Sequence, residues 1–123
     1  MNFSIDQKTT VALLKTQFSS YFPHLKIEVY DESHAVGEAS AQDHQISDDV
    51  LLSEINPNVQ SGHFSFDPEM KVRDFEQGCK ANMGLNVQVF RLSGKLWLQT
   101  TKTDDWSLEK QEGKGKRSSD ALE

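Results

Sequence analysis

The chain repeats itself. Phe3-Ser4-Ile5-Asp6 returns 61 positions later as Phe64-Ser65-Phe66-Asp67, and Val11, Leu14 and Phe18 return at the same offset as Val72, Phe75 and Cys79. After a one-residue slip, Leu25-Lys26-Ile27-Glu28-Val29-Tyr30 matches Leu85-Asn86-Val87-Gln88-Val89-Phe90. Identity between the halves is modest. A shared apolar phase over so long a stretch is harder to reach by chance, and self-similarity at a fixed period marks repetition of one structural unit. The expectation is two copies of one supersecondary element, at about 2–30 and 63–101.

Each copy reads strand, helix, strand. Phe3 and Ile5 alternate with Ser4, and Phe64 and Phe66 with Ser65, the period-two pattern of a strand with one apolar face. In the middle of each copy the apolar spacing is i, i+3, i+7, one stripe of a helix lying on a sheet. Pro23 and Gly84 are stop signals for those helices. The closing strands place Leu25, Ile27, Val29 and Leu85, Val87, Val89 on one side. The segment Asp31–Ser61 between the copies is acidic. Its first part, to Gln45, reads as a loop, and Ser47-Asp48-Asp49 predicts a capped short helix through Ile55.

A chain of 123 residues supports one ordinary core. Two strand-helix-strand copies in that length predict an α+β fold on the ferredoxin-like plan, helices on one face of an antiparallel sheet. Alternatives are a β-grasp-like arrangement or two small β-α-β lobes. Leu85–Thr101 predicts a hairpin that adds a fifth strand, giving the order 5-4-1-3-2. With Ser93-Gly94 as a two-residue turn, Val89 would face Leu98 inward and Phe90 would face Trp97 on the open side. Thr103-Asp104-Asp105-Trp106 predicts a further capped start of one or two turns. The domain would span 1–108, and 109–123, which lacks an apolar period, would be a mobile tail.

The formal net charge of −6 argues against general attraction to nucleic acid. The open sheet face also lacks the basic, glycine-flanked aromatic signature of RNA-binding sheets. Cys79 is the sole cysteine, so neither an internal disulfide nor a cysteine zinc site can form, and its core phase makes it an inert thiol. No apolar run approaches the roughly 20 residues of a membrane span, and no leader pattern is visible, which predicts a cytoplasmic protein. His24, His34, His44 and His63 show no ligand spacing. Asp48-Asp49 and Asp104-Asp105 fit helix starts better than metal sites. No serine stands in a nucleophile elbow, and the GKGK near the C-terminus follows no strand. No catalytic motif, metal or cofactor is expected.

The segment Leu85-Asn86-Val87-Gln88-Val89-Phe90-Arg91 followed by Trp97-Leu98-Gln99-Thr100-Thr101 and Thr103-Asp104-Asp105-Trp106-Ser107-Leu108 resembles a family of small bacterial α/β proteins. Those proteins share a "VQVF…WLxTTxTDDWxL" pattern, and the resemblance covers roughly Val72 to Gln111. It implies a bacterial source and a compact α/β domain, and it transfers no activity, cofactor or site residue.

These observations predict a non-enzymatic domain that binds another protein, or itself. The candidate surface is Phe90, Trp97 and Trp106 with neighbouring Arg91, Gln88 and Gln99, joined by the free edge at Lys95–Thr101. The structural alternative is that the 48–55 helix, or Trp106 and Leu108, folds over those aromatics. The rival class is an enzyme or small-ligand domain with a pocket between Asp31–Ser61 and the sheet, using Tyr30 or Asp104.

Overall fold

The computed structural model describes residues 1–31 and 44–120. In chain order these form β1 (Asn2–Ile5), α1 (Val11–Tyr21), β2 (Leu25–Tyr30), α2 (Leu52–Ile55), β3 (Gly62–Ser65), α3 (Val72–Met83), β4 (Asn86–Ser93), β5 (Leu96–Gln99), a 3-10 turn at Thr101–Thr103 and α4 (Leu108–Asp120). The fold is α+β. His34 and most of the expected Asp31–Gln45 loop lie outside the described residues, as does the end of the expected tail.

Local chemistry accounts for the helix ends. Thr10 caps α1, its side chain accepting the Leu13 N–H at 3.2 Å. Gly84 ends α3 in the left-handed region at φ 65°, a conformation that costs an L-residue roughly 1–2 kcal/mol. A methyl group there would also collide with the Asn56 carboxamide, which donates to the Met83 carbonyl at 2.8 Å.

Packing follows from the apolar stripes. Val11, Leu14 and Phe18 of α1 and Val72, Phe75 and Cys79 of α3 are all completely buried. They join Ile27, Val29, Val87 and Val89 in one core. At its centre is an aromatic cluster, with Phe3–Phe66 ring centroids 4.9 Å apart and Phe18–Phe75 and Phe66–Phe75 each 5.2 Å apart.

The sheet topology differs from the expected single sheet. Among the described residues β1 pairs only with β3, and β2-β4-β5 form a separate antiparallel sheet. The order 5-4-1-3-2 therefore does not hold: β2 lies beside β4, with neither β1 nor β3 between them. Length supplies the reason. Six-residue β2 and eight-residue β4 match over six register positions, whereas β1 and β3 are four residues each and match one another. In each antiparallel pairing one position aligned by the sequence offset meets its counterpart, Phe3 opposite Phe64 and Glu28 opposite Gln88.

Two sheet edges are closed by the chain itself. Gln17 of α1 accepts the Ser4 N–H at 2.7 Å and donates to the Ser4 carbonyl at 3.0 Å, while the Tyr21 hydroxyl donates to the Asn2 carbonyl at 3.1 Å. Along the outer edge of β2, Ile46 N–H donates to the Val29 carbonyl at 2.7 Å and Asp31 N–H to the His44 carbonyl at 2.9 Å. Such edge coverage blocks unwanted strand addition.

Three further expectations are corrected. The short helix begins at Leu52 rather than after Ser47, because Asp48 and Val50 carbonyls are taken by Ala12 and Val11 N–H at the start of α1. The Thr103–Trp106 segment makes only a 3-10 turn and a bend; Ser107 caps the following helix by accepting the Lys110 N–H at 3.0 Å. Residues 109–120, expected as a mobile tail, are helical in α4. Buried Leu108, Gln111 and Gly115 hold that helix, together with Glu112, which accepts from the His24 backbone N–H at 2.7 Å and meets the His24 ring at 2.6 Å.

Candidate functional site

The predicted surface grows from β4. Its first half, Val87 to Val89, is buried beneath α3, and its second half runs past that helix. Here β5 turns back onto it, pairing Ser93 with Leu96, Leu92 with Trp97, Arg91 with Leu98 and Phe90 with Gln99. The turn is therefore Gly94-Lys95, two positions away in register from the expected Ser93-Gly94 hairpin. Gly94 has φ 62°, the positive value that a two-residue hairpin requires at its first central position. A two-residue shift leaves every side chain on its original face. Phe90 and Trp97 accordingly share a face but are diagonal rather than direct neighbours.

The overhang leaves β5 exposed on both faces. Leu96 is 69% exposed, Trp97 38% and Leu98 42%. Leu98 does not enter the core, because its partner is Arg91 and not the buried Val89. Neither α2 nor Leu108 covers the aromatics: Leu52 and Leu108 are themselves core residues.

The six candidate residues divide between two faces. On one, the ammonium of Lys26 lies 5.1 Å from the Phe90 ring centroid and 5.2 Å from that of Trp97. Gln99 and Gln88 share this face by register, but Gln88 is 1% exposed and unavailable to a partner. On the other face, Arg91 donates to Gln111 at 2.8 Å and lies 5.7 Å from the Trp106 ring, over which Lys110 also sits at 4.2 Å. Gln111 is anchored in turn by donating to the Thr103 carbonyl at 2.9 Å and to its hydroxyl at 2.8 Å. Trp106 thus secures α4 to the sheet and does not join the Phe90–Trp97 pair.

Lys26 was invisible to sequence reasoning, which had no way to place β2 against β4. It also reaches Glu28 at 3.1 Å, and Lys15 meets the same carboxylate at 2.7 Å and Asp48 at 2.9 Å. Glu28 is only 3% exposed, so these two cations are what make its burial tolerable. Burial alone would lower Lys15, but its bonds to Glu28 and Asp48 hold it above its ordinary value. Burial, and then the Glu28 charge, pushes the Tyr30 phenol up to about 12. Cys79 is fully buried, and burial followed by the Glu76 charge drives its thiol well above its usual range.

The expected rival pocket would have used Tyr30 or Asp104. Tyr30 is 1% exposed, while the Asp104 carbonyl accepts from Arg73 at the start of α3. An open concavity of about 480 Å³ does lie near the linker, lined by Lys15, Gln45, Ile46, Ser47 and Asp48. Among the described residues no group of three or more His, Cys, Asp or Glu could hold a metal ion, and no helix is long and apolar enough to cross a membrane. Comparison with known proteins finds no family model, no curated protein and no solved structure that matches this chain.

Proposed function

We propose that this chain is a non-enzymatic cytoplasmic module that binds another protein through the β4–β5 hairpin, with Phe90, Trp97 and the outer edge of β5 as the contact. One observation carries the proposal. Leu96, Trp97 and Leu98, three consecutive large apolar residues, are exposed on a strand whose far edge has no partner strand among the described residues. Exposed apolar edges are liabilities that proteins cover or blunt, and one left open in this way suits strand addition by a partner. The outer edge of β2, at the other side of the same sheet, is closed by Ile46, which makes the open edge of β5 a contrast within that sheet. The resemblance of Leu85–Leu108 to small bacterial proteins supports a bacterial setting for this activity.

A second reading, a small-ligand site in the concavity at Lys15 and Asp48, ranks lower. The cation lining it already meets two carboxylates.

The test is a photo-crosslinking residue placed at Leu96, with a control at Leu13 of α1, which is also exposed. The proposal expects a discrete protein adduct from position 96, lost when Leu98 is changed to Glu, and none from position 13. Equal or absent adducts at both positions refute it.

A further inference from the structure

The hairpin carries an unusual charge. Of 13 Lys and Arg and 19 Asp and Glu in the chain, the stretch from Arg91 to Thr103 holds Arg91, Lys95 and Lys102 and no acid. The chain is otherwise acidic enough to reach a net −6. Lys95 immediately precedes β5, and Lys102 follows it in the 3-10 turn; both are exposed, and neither forms an ion pair among the described residues. A positive bracket therefore encloses the Leu96-Trp97-Leu98 strand.

The free edge has a definite hydrogen-bonding direction. Ser93 and Leu96 close the two-residue turn, so Leu96 and Leu98 direct their peptide groups toward β4 and Trp97 directs its groups away. The bond from Thr100 N–H to the Val89 carbonyl at 3.2 Å keeps this alternation. An added strand would thus find the Trp97 N–H and carbonyl facing it, Leu96 and Leu98 on one side and the Trp97 ring on the other.

Resting on the hairpin reading above, we infer that the partner segment is an extended acidic peptide that adds as a strand to β5, apolar at its centre and carrying carboxylates toward its ends. The carboxylates meet Lys95 and Lys102, while the apolar residues cover Leu96, Trp97 and Leu98. A second copy of this chain is the wrong occupant, because two such stretches, each carrying Arg91, Lys95 and Lys102 with no acid before Asp104, would repel on approach. A nucleic acid would satisfy the cations but would leave the outward peptide groups of Trp97 and the apolar side chains of Leu96 and Leu98 without a match.

The experiment uses the full chain with Trp106→Phe, so that Trp97 is the sole tryptophan reporter. It is titrated with blocked peptides of about eight residues that have a valine-rich centre flanked at both ends by glutamate, glutamine or lysine. The glutamate peptide is expected to shift Trp97 emission and to bind at least about tenfold more tightly than the glutamine one, weakening as salt rises. Lysine substitution, N-methylation of the peptide backbone, or Lys95→Glu with Lys102→Glu in the protein abolishes that binding. Equal binding of all three peptides overturns the acidic specificity while leaving the hairpin as an interaction surface. A hairpin-dependent dimer in sedimentation, reversed by Leu98→Lys, overturns it in favour of self-association. Preferential binding of a single-stranded oligonucleotide overturns it as well. If no peptide binds, this inference fails, and the adducts from position 96 decide the broader reading separately.

Discussion

Lys26 is where the fold and the proposed surface meet, and replacing it with Met removes three interactions at once. The first is the contact with the Glu28 carboxylate at 3.1 Å. Removing one member of a fully buried ion pair costs about 3–5 kcal/mol, but Glu28 keeps Lys15 at 2.7 Å, so the loss should be nearer the value of one charged hydrogen bond, about 1.5–2 kcal/mol. The other two are the cation–π contacts to Phe90 and Trp97. With the Lys26 side chain 28% exposed, these belong near the weak end, about 0.5–1 kcal/mol each. The methionine returns about 1 kcal/mol through its own contacts with the rings. The net expectation is a destabilisation of about 1.5–3 kcal/mol. Denaturant unfolding, followed through Trp97 in the Trp106→Phe background, measures it directly. Glu28→Gln and the double variant complete a cycle. Removal of Glu28 should make the Lys26 substitution about 1 kcal/mol or more cheaper, because the carboxylate that needed the cation is gone. Additivity to within about 0.5 kcal/mol would refute the idea that Lys26 supports the buried carboxylate.

Four other outcomes follow from the geometry. Trp97→Ala, on an exposed edge, should cost about 1 kcal/mol or less in denaturant unfolding followed by far-ultraviolet circular dichroism; a loss of about 3 kcal/mol or more would make Trp97 a core residue. Gly84→Ala should cost about 2–3 kcal/mol, combining the left-handed backbone with displacement of Asn56, and part of that cost should vanish in an Asn56→Ala background. Gly115→Leu should detach α4, since even a Cβ there stands 3.0 Å from the His24 carbonyl; faster amide exchange confined to 108–120 would show it. Tyr30 holds its proton more tightly when folded than unfolded, so its contribution is complete below about pH 10 and is lost as pH rises toward 12. Tyr30→Phe should therefore flatten the decline in unfolding midpoint over that window, and an unchanged slope would contradict the assignment.

How much of this was legible in the sequence depends on which interaction decides each feature. The strands and the helices α1 and α3 follow from apolar phase: Val11, Leu14, Phe18, Val72, Phe75 and Cys79 are buried as their spacing predicts. Phase names the inward face of a strand but not its neighbour, so the partnership of β2 with β4 was beyond it, and with it the position of Lys26 over Phe90 and Trp97. The hairpin faces were readable despite the wrong turn, because the error was an even number of residues. The last helix was missed for a different reason. Its inward positions are Leu108, Gln111 and Gly115, which form no apolar stripe; hydrogen bonds from Gln111 and close approach at Gly115 hold it instead. Of the six candidate residues, Gln88 was lost to burial and Trp106 to the anchoring of α4, which leaves Phe90, Arg91, Trp97 and Gln99 along the hairpin.

The occupied outer margin of β2 has a consequence for stoichiometry. With residues 44–46 already hydrogen-bonded along that side, the three-stranded sheet can lengthen in one direction only, beyond β5. A guest seated there would find no matching vacancy along β2 of the next molecule, so this sheet would take one guest and would not run on into a fibre.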